Sequence, residues 1–334
     1  MRSHLTRRIP LPVRVVVALA VLAFGFLAFV GLRSLAGTAS ADPAAPNPGH
    51  SWSQIGDLPG TLVTRSVFST TTVDDPANQV GNDSSATIGT DGLPVISYRD
   101  ASAGTLWVAH CGNPSCSAGN TLTKVDDPPV NVVGGYTSIT IGADGLPVIS
   151  YRDYPAAALK VAHCSNASCS ATDSITTVDD PANTVGQYST SITIGADGLP
   201  VISYYDGTDG TLWVAHCGNP SCSAANTLTK VDDPPVNAVG GYSSITIGAD
   251  GLPVIGYKDG TAKSLKVAHC GNASCSAANT VTTVDDPANQ VGTSTSIAIG
   301  TDGLPVISYT DETADALKVA HCSNRFCVPY HRPR

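Results

Sequence analysis

The sequence predicts an all-β fold built from five copies of one unit. Three observations predict it. The first is composition: 26 of the 27 acidic residues are Asp, charged residues make up 13 %, and there are 32 Gly and 23 Pro. Glu, Lys, Arg and Met build helix surfaces and are scarce, whereas turn formers are abundant. The second is repetition. Asp-Gly-Leu-Pro-Val begins at Asp91, Asp144, Asp197, Asp250 and Asp302, in steps of 53, 53, 53 and 52 residues. The third is period-two alternation of apolar residues within each copy, with no stretch of helical period.

Taken in order, residues 1–14 are basic, Val15 to Leu32 form an apolar run of 18, and Ala39-Ser40-Ala41 offers a small-residue cleavage site. Residues 1–41 therefore read as a signal peptide or a membrane anchor, and the remaining chain as secreted or exposed on the cell envelope. Residues 42–63 are a Pro/Gly-rich linker, 64–327 the repeat domain and 328–334 a C-terminal tail. From Asp42 onward 13 Lys and Arg face 27 acids, a balance near −14. Such a surface excludes nucleic acid, whose phosphates need a basic stripe.

Each repeat holds four strand patterns. In the second copy these are Ser138–Ile141, a turn at Asp144-Gly145, Val148–Tyr151, Leu159–Cys164 and Ile175–Val178. Four strands in about 50 residues is the pattern of a β-propeller blade, so the domain reads as a five-bladed β-propeller. The fifth copy stops at Cys327, before any fourth strand. An orphan strand, Val67–Val73, precedes the first copy. It ends Thr-Thr-Val-Asp-Asp-Pro-Ala-Asn, like the fourth strands of copies two and four. The sequence thus predicts a ring closed by an N-terminal strand completing the last blade, which also removes open edges. An open solenoid is the alternative.

The motif Ser-Ile-x-Ile-Gly-x-Asp-Gly-Leu-Pro-Val-Ile-Ser-Tyr-x-Asp, with Leu-Lys-Val-Ala after it, resembles the repeats of secreted bacterial propellers of the sialidase/BNR-like group. All five copies carry it. The resemblance implies the architecture. It implies little about activity, since that group holds enzymes, lectins and surface proteins, and the Trp of the sialidase Asp box is missing.

All ten Cys fall in C-x4-C pairs: Cys111 with Cys116, Cys164 with Cys169, Cys217 with Cys222, Cys270 with Cys275, and Cys322 with Cys327. In an exported chain these predict five disulfides, each stapling the hairpin between the third and fourth strands. Zinc is the alternative, because His110, His163, His216, His269 and His321 each precede a Cys. Those histidines share a strand face with Val and Leu, which predicts half-buried rings bonded to a neighbouring blade.

Candidate ligand residues gather on the loops joining strands two to three and four to one. Asp100, Asp153, Asp206, Asp259 and Asp311 begin the former, and Tyr136, Tyr188 and Tyr242 lie in the latter. A carboxylate beside an aromatic ring can hold a sugar, the acid accepting hydroxyl hydrogens and the ring packing on C–H groups. Asp before Pro also initiates turns, so a purely structural role competes. No cofactor is implied. The Asp clusters leave Ca2+ open, without a calcium-loop motif. The arginines do not fall at equivalent positions around the ring, and five equal copies offer no asymmetric constellation for catalysis. The expectation is therefore a non-catalytic repeat protein that binds a glycan or surface polymer multivalently. The alternative is a structural scaffold or a binder of an extracellular protein, and a glycosidase-type hydrolase ranks below both. Membrane contact would come only through an uncleaved N-terminus.

Overall fold

The computed structural model describes residues 70–329, apart from 130–131, 172–173, 181–183, 236–237 and 288–289. The signal or anchor, the linker and Val67–Ser69 of the orphan strand lie outside the described residues.

The described residues form five antiparallel sheets whose strands neighbour one another in chain order. The first sheet contains β1 (Asn82–Ile88), β2 (Pro94–Asp100), β3 (Thr105–His110) and β4 (Thr121–Asp126). The second contains β5 (Gly135–Ile141), β6 (Pro147–Asp153), β7 (Ala158–His163) and β8 (Ser174–Asp179). The third contains β9 (Val185–Ile194), β10 (Pro200–Asp206), β11 (Thr211–His216) and β12 (Thr227–Asp232). The fourth contains β13 (Val239–Ile247), β14 (Pro253–Asp259), β15 (Ser264–His269) and β16 (Thr280–Asp285). The fifth holds three strands, β17 (Val291–Ile299), β18 (Pro305–Asp311) and β19 (Ala316–His321). The first strands β1, β5, β9, β13 and β17 pack side by side in sequence, as in a propeller.

The Asp-Gly turn works through its carboxylate and its glycine. In the first blade, Gly92 adopts φ +78° and donates its N–H to the Gly89 carbonyl at 2.9 Å. The Leu93 N–H donates to Asp91 Oδ1 at 3.0 Å. Only Gly takes this left-handed position cheaply, which fixes the hairpin register for β2. The other carboxylate oxygen serves the histidine. His110 Nε2 lies 2.8 Å from Asp91 Oδ2, and His163, His216 and His321 repeat the contact with Asp144, Asp197 and Asp302. His269 stands 3.0 Å from Asp250, with Phe326 edge-on to its ring at 4.7 Å. The expected bond to a neighbouring blade is thus corrected. Third strand and first hairpin leave the same edge of one sheet, so each histidine reaches the turn of its own blade.

All five disulfides form as the spacing predicts. They join Cys111 to Cys116, Cys164 to Cys169, Cys217 to Cys222, Cys270 to Cys275 and Cys322 to Cys327. Every cysteine is thereby used, which sets the zinc alternative aside. One property of the bridges is absent from the sequence pattern. The second cysteine of each pair, namely Cys116, Cys169, Cys222, Cys275 and Cys327, takes a left-handed backbone, with φ of 53°, 52°, 52°, 52° and 55°. A tight turn puts it there: the Cys116 N–H donates to the Asn113 carbonyl at 3.0 Å, and the other four repeat this bond. Four intervening residues are too few to return the chain to its partner sulfur without such a turn.

Seams between blades hold the core. At the first, Val95, Leu106 and Val108 meet Val133, Ile139, Ile149, Tyr151 and the bridge between Cys164 and Cys169 of the next blade. Cys164, Cys217 and Cys270 are fully buried, as are Cys222 and Cys275, so these staples are also seam packing. A tyrosine bolts each seam. Tyr151 Oη donates to Asp126 Oδ2 at 2.7 Å, reaching from β6 to the end of β4. Tyr204, Tyr257 and Tyr309 repeat this with Asp179, Asp232 and Asp285. Burial first, and then the facing carboxylate, push the Tyr151 and Tyr257 phenols well above their ordinary range.

Among the described residues the last seam is not closed. Leu106, Leu159, Leu212 and Leu265 are 0 % exposed, as are Val108, Val161, Val214 and Val267, but the matching Leu317 and Val319 of β19 are 61 % and 60 % exposed. Among the described residues the orphan segment makes no strand pairing with β19. Its described part, from Thr70, forms no strand and instead lies against the first blade. There Asp74 accepts the Tyr98 hydroxyl at 2.7 Å, the same bolt as at the other seams. The physical reason is lateral: nothing in the described residues brings β19 alongside that segment. Beside the bolt lies a cavity of about 320 Å³ lined by Val73, Val80, Ile96, Tyr98 and Ala109, among others.

Tyr151→Phe leaves the Asp126 carboxylate buried without its donor. Denaturant titration is expected to show a loss of about 1.5–3 kcal/mol, as for a hydrogen bond to a charged group. A loss below about 0.5 kcal/mol would mean the bolt is not what joins these blades.

Candidate functional site

β1 starts, β2 ends, β3 starts and β4 ends at the same edge of each sheet. The loops at that edge form one face, and the side chains that differ between blades collect there.

The first set sits on the innermost strands. Asp83, Tyr136, Tyr242 and Ser294 each stand eight residues before the Asp of the Asp-Gly turn, and Tyr188 stands nine before it. All five have left-handed backbones, with φ of 51°, 52°, 55°, 52° and 66°. The pairing registers of blades one, two, four and five jump at these residues, marking a β-bulge. A bulge re-aims a side chain away from the pleat, and a left-handed non-Gly residue costs about 1–2 kcal/mol. Strain of this kind concentrates at working sites. The second set precedes the Asp that ends each second strand: Arg99, Arg152, Tyr205, Lys258 and Thr310. The third follows that Asp: Ala101, Tyr154, Gly207, Gly260 and Glu312.

These three sets touch across blades. Arg99 Nη1 donates to the Tyr154 hydroxyl at 3.3 Å and lies 3.8 Å from Asp83 Oδ2. The Tyr136 and Tyr154 rings are 6.2 Å apart between centroids. Further round, Tyr188 stands 5.9 Å from Tyr205 and 5.8 Å from Tyr242. Those three tyrosines and Lys258 line a cavity of about 310 Å³. Lys258 Nζ lies 3.3 Å from both oxygens of Glu312. Burial raises the Asp83 carboxyl above its ordinary range, against the opposing pull of Arg99 and the Tyr136 N–H. The face therefore offers a partly buried carboxyl raised by its burial, a second carboxylate beside a lysine, two guanidinium groups and an arc of tyrosines.

Tyr136, Tyr188 and Tyr242, expected from the sequence, lie in this arrangement. The five aspartates expected beside them do not. Asp100, Asp153, Asp206, Asp259 and Asp311 are between 1 % and 5 % exposed. Each accepts backbone N–H groups of its own loop, as Asp259 does from Thr261 and Ala262 at 3.1 and 2.7 Å. Lys160 and Lys266 also reach Asp153 and Asp259, at 3.0 and 3.5 Å. These carboxylates cap loops beneath the face. Arg99 and Arg152 correct a second expectation, since they occupy equivalent positions in adjacent blades. Asp83, Tyr154 and Lys258 were not among the sequence candidates, although alignment of the five copies marks each as a departure from its counterparts; Arg99, Arg152 and Glu312 were visible but were set aside because they do not repeat around the ring. Among the described residues no group of three or more His, Cys, Asp or Glu converges to hold a metal ion.

No protein-family model and no curated protein matches the chain. Solved structures do. A protein of unknown function from Dyadobacter fermentans superposes with a TM-score of 0.52 at 10 % identity, covering 68 % of this chain and 74 % of that one. The GH93 alpha-L-arabinofuranosidase of Fusarium graminearum, bound to arabinobiose, gives 0.50 at 11 % identity, covering 74 % and 83 %. The same type of Fusarium enzyme with an iminosugar inhibitor gives 0.50 at 9 %, covering 76 % and 84 %. At such identities the likeness establishes the propeller-type fold. The expectation of a non-catalytic binder or scaffold is nevertheless corrected. Its premise was that five equal copies supply no asymmetric constellation, and this face is asymmetric in charge, acidity and shape. The Fusarium neighbours, moreover, are glycosidases.

Ser294→Gly is expected to raise stability by about 0.5–1 kcal/mol in denaturant titration, because glycine removes the left-handed cost where no ring is lost. No gain would show that the bulge conformation is unstrained.

Proposed function

We propose that the chain is an extracellular glycosidase-type propeller that hydrolyses a pentose-containing glycan at this face. One observation carries the reading: Asp83, a partly buried carboxyl with a raised pKa, held between Arg99 and the Tyr136 backbone. A group of that kind serves as a general acid. It donates its proton to the glycosidic oxygen as the C–O bond breaks. Glu312, the second carboxylate that the repeat does not account for, takes a proton from the water that attacks the anomeric carbon. The tyrosine arc packs on sugar C–H faces and fixes the chain across the face. Arabinose-based glycans enter as the first substrate class because the Fusarium neighbours are arabinofuranosidases. The five disulfides support an oxidising, extracellular setting.

The reading also requires a ring. Asp83 and Glu312 belong to the first and last blades, which become neighbours only on closure. Leu317 and Val319 have the shape of the residues that fill the other seams. The cavity beside Tyr98 has the matching apolar wall, with Val73 already in place. Burying both side chains contributes about 1.5–3 kcal/mol each. By equivalence with the β3–β4 pairing, Val319 then faces Thr71, as Val108 faces Thr123.

Two measurements test this. Arabino-oligosaccharide turnover, followed by reducing-end release, is expected in the wild type and lost by at least about 100-fold in Asp83→Asn. The rate should also fall as pH rises through the raised Asp83 pKa, since the acid is then deprotonated. Unchanged turnover in the variant removes Asp83 from the chemistry. For closure, Thr71→Cys with Val319→Cys should form an intramolecular disulfide in the full chain. Persistent free thiols, or linkage only between chains, would count against a closed ring.

A further inference from the structure

Two guanidinium groups share one phenol. Arg99 lies 4.7 Å and Arg152 5.2 Å from the centroid of the Tyr154 ring. The ring attracts both, but two like charges on one ring also repel. Counter-charge is short. Arg99 has Asp83 at 3.8 Å, and the third cation at this register, Lys258, has Glu312 at 3.3 Å. Arg152 sits only 8 % exposed, and no described carboxylate pairs with it. Its neighbours of consequence are the phenols of Tyr136, Tyr154 and Tyr188. Moreover, the Nε atoms of both Arg99 and Arg152 are buried and have no hydrogen-bond partner among the described residues.

A buried cation without counter-charge is costly, and a buried Nε–H without an acceptor adds to the cost. The Nε side of a guanidinium is one of the edges that bind two oxygens of a carboxylate or sulfate at once. In both arginines that Nε has no partner among the described residues and is itself buried, so an anion reaches the guanidinium through its exposed part. The contrast with Lys258 matters: the same register in blade four carries a cation with its own carboxylate, so an unpaired cation is not a property of the fold.

We propose that Arg152, with Arg99 beside it on Tyr154, forms a subsite for an anionic group of the glycan, a carboxylate on an acidic sugar or a sulfate ester on a neutral one. The inference rests on the reading that this face binds a glycan, and it narrows the substrate to acidic chains. In a protein that is itself strongly acidic, the subsite acts at contact range rather than by long-range attraction.

Calorimetric titration of the full chain tests it with three oligosaccharides of equal length: a galacturonate oligomer, the same oligomer with its carboxyls reduced to alcohols, and a sulfated neutral oligomer. The acidic form is expected to bind about tenfold tighter than its reduced counterpart. Arg152→Met should erase that preference, and Arg152→Lys should restore part of it. If the sulfated oligomer binds tighter than the uronate, the anionic group is an ester. Equal binding of acidic and reduced forms by the wild type overturns the subsite while leaving the glycan reading intact. So does a preference that survives in Arg152→Met. Binding of none of the three also overturns the subsite, while the arabino-oligosaccharide assay decides the glycan reading separately. Should Arg152→Met fail to fold, as judged by its melting transition, the wild-type comparison decides alone.

Discussion

The bond from a second-strand tyrosine to the aspartate ending the preceding blade is the contact on which the rest depends. It is polar, buried and directional, and it falls at the same place at every seam. Valine, leucine and isoleucine would allow neighbouring blades to slide, because dispersion has little preference for register. A phenol at 2.7 Å from one carboxylate oxygen does not. Once that distance is set, Leu159 meets its hollow, the next cystine covers it, and the bulged residue of one blade arrives beside the second strand of its neighbour. The working face inherits its geometry from this bolt.

Around the bolt, the third strand shows two ways of supporting the same carboxylate. Lys266 reaches Asp232 at 2.9 Å, and Lys318 makes the same pairing with Asp285. In blades one and three a tryptophan replaces the lysine. Its indole N–H bonds to Thr105 or Thr211 at 2.9 Å, and its ring stacks on the bolt tyrosine at 6.5 Å. One solution adds charge to a buried acid and the other adds apolar area beside it. Both pack against the tyrosine, so Trp-type and Lys-type copies share one backbone.

The strands were legible in the sequence because repetition multiplies every weak signal by five. Asp-Gly turns, paired cysteines and alternating valines recur at fixed steps, so their structural meaning was plain. That regularity also misdirected the search for a site. Asp259 and its counterparts stood out because they recur, and recurrence marked them as loop caps whose backbone partners no sequence pattern displays. Asp83 did not stand out, and Arg152 and Glu312 were discounted, since the repeat formula has no place for them. Closure was half legible. The kinship of the orphan segment with a fourth strand was visible, and Asp74 takes the bolt position that kinship implies, yet the pairing with β19 depends on how far the blades curve. Side-chain spacing says nothing about that curvature.

The cystines have a consequence for how the domain assembles. Cys164 and Cys169 pack with Val95, Leu106 and Val108 of the preceding blade, so the bridge is part of the seam. Two separate thiols occupy more room than one bond between them. Bridge formation and seam packing are therefore coupled, and loss of a bridge disturbs the seam it fills as well as the hairpin it staples.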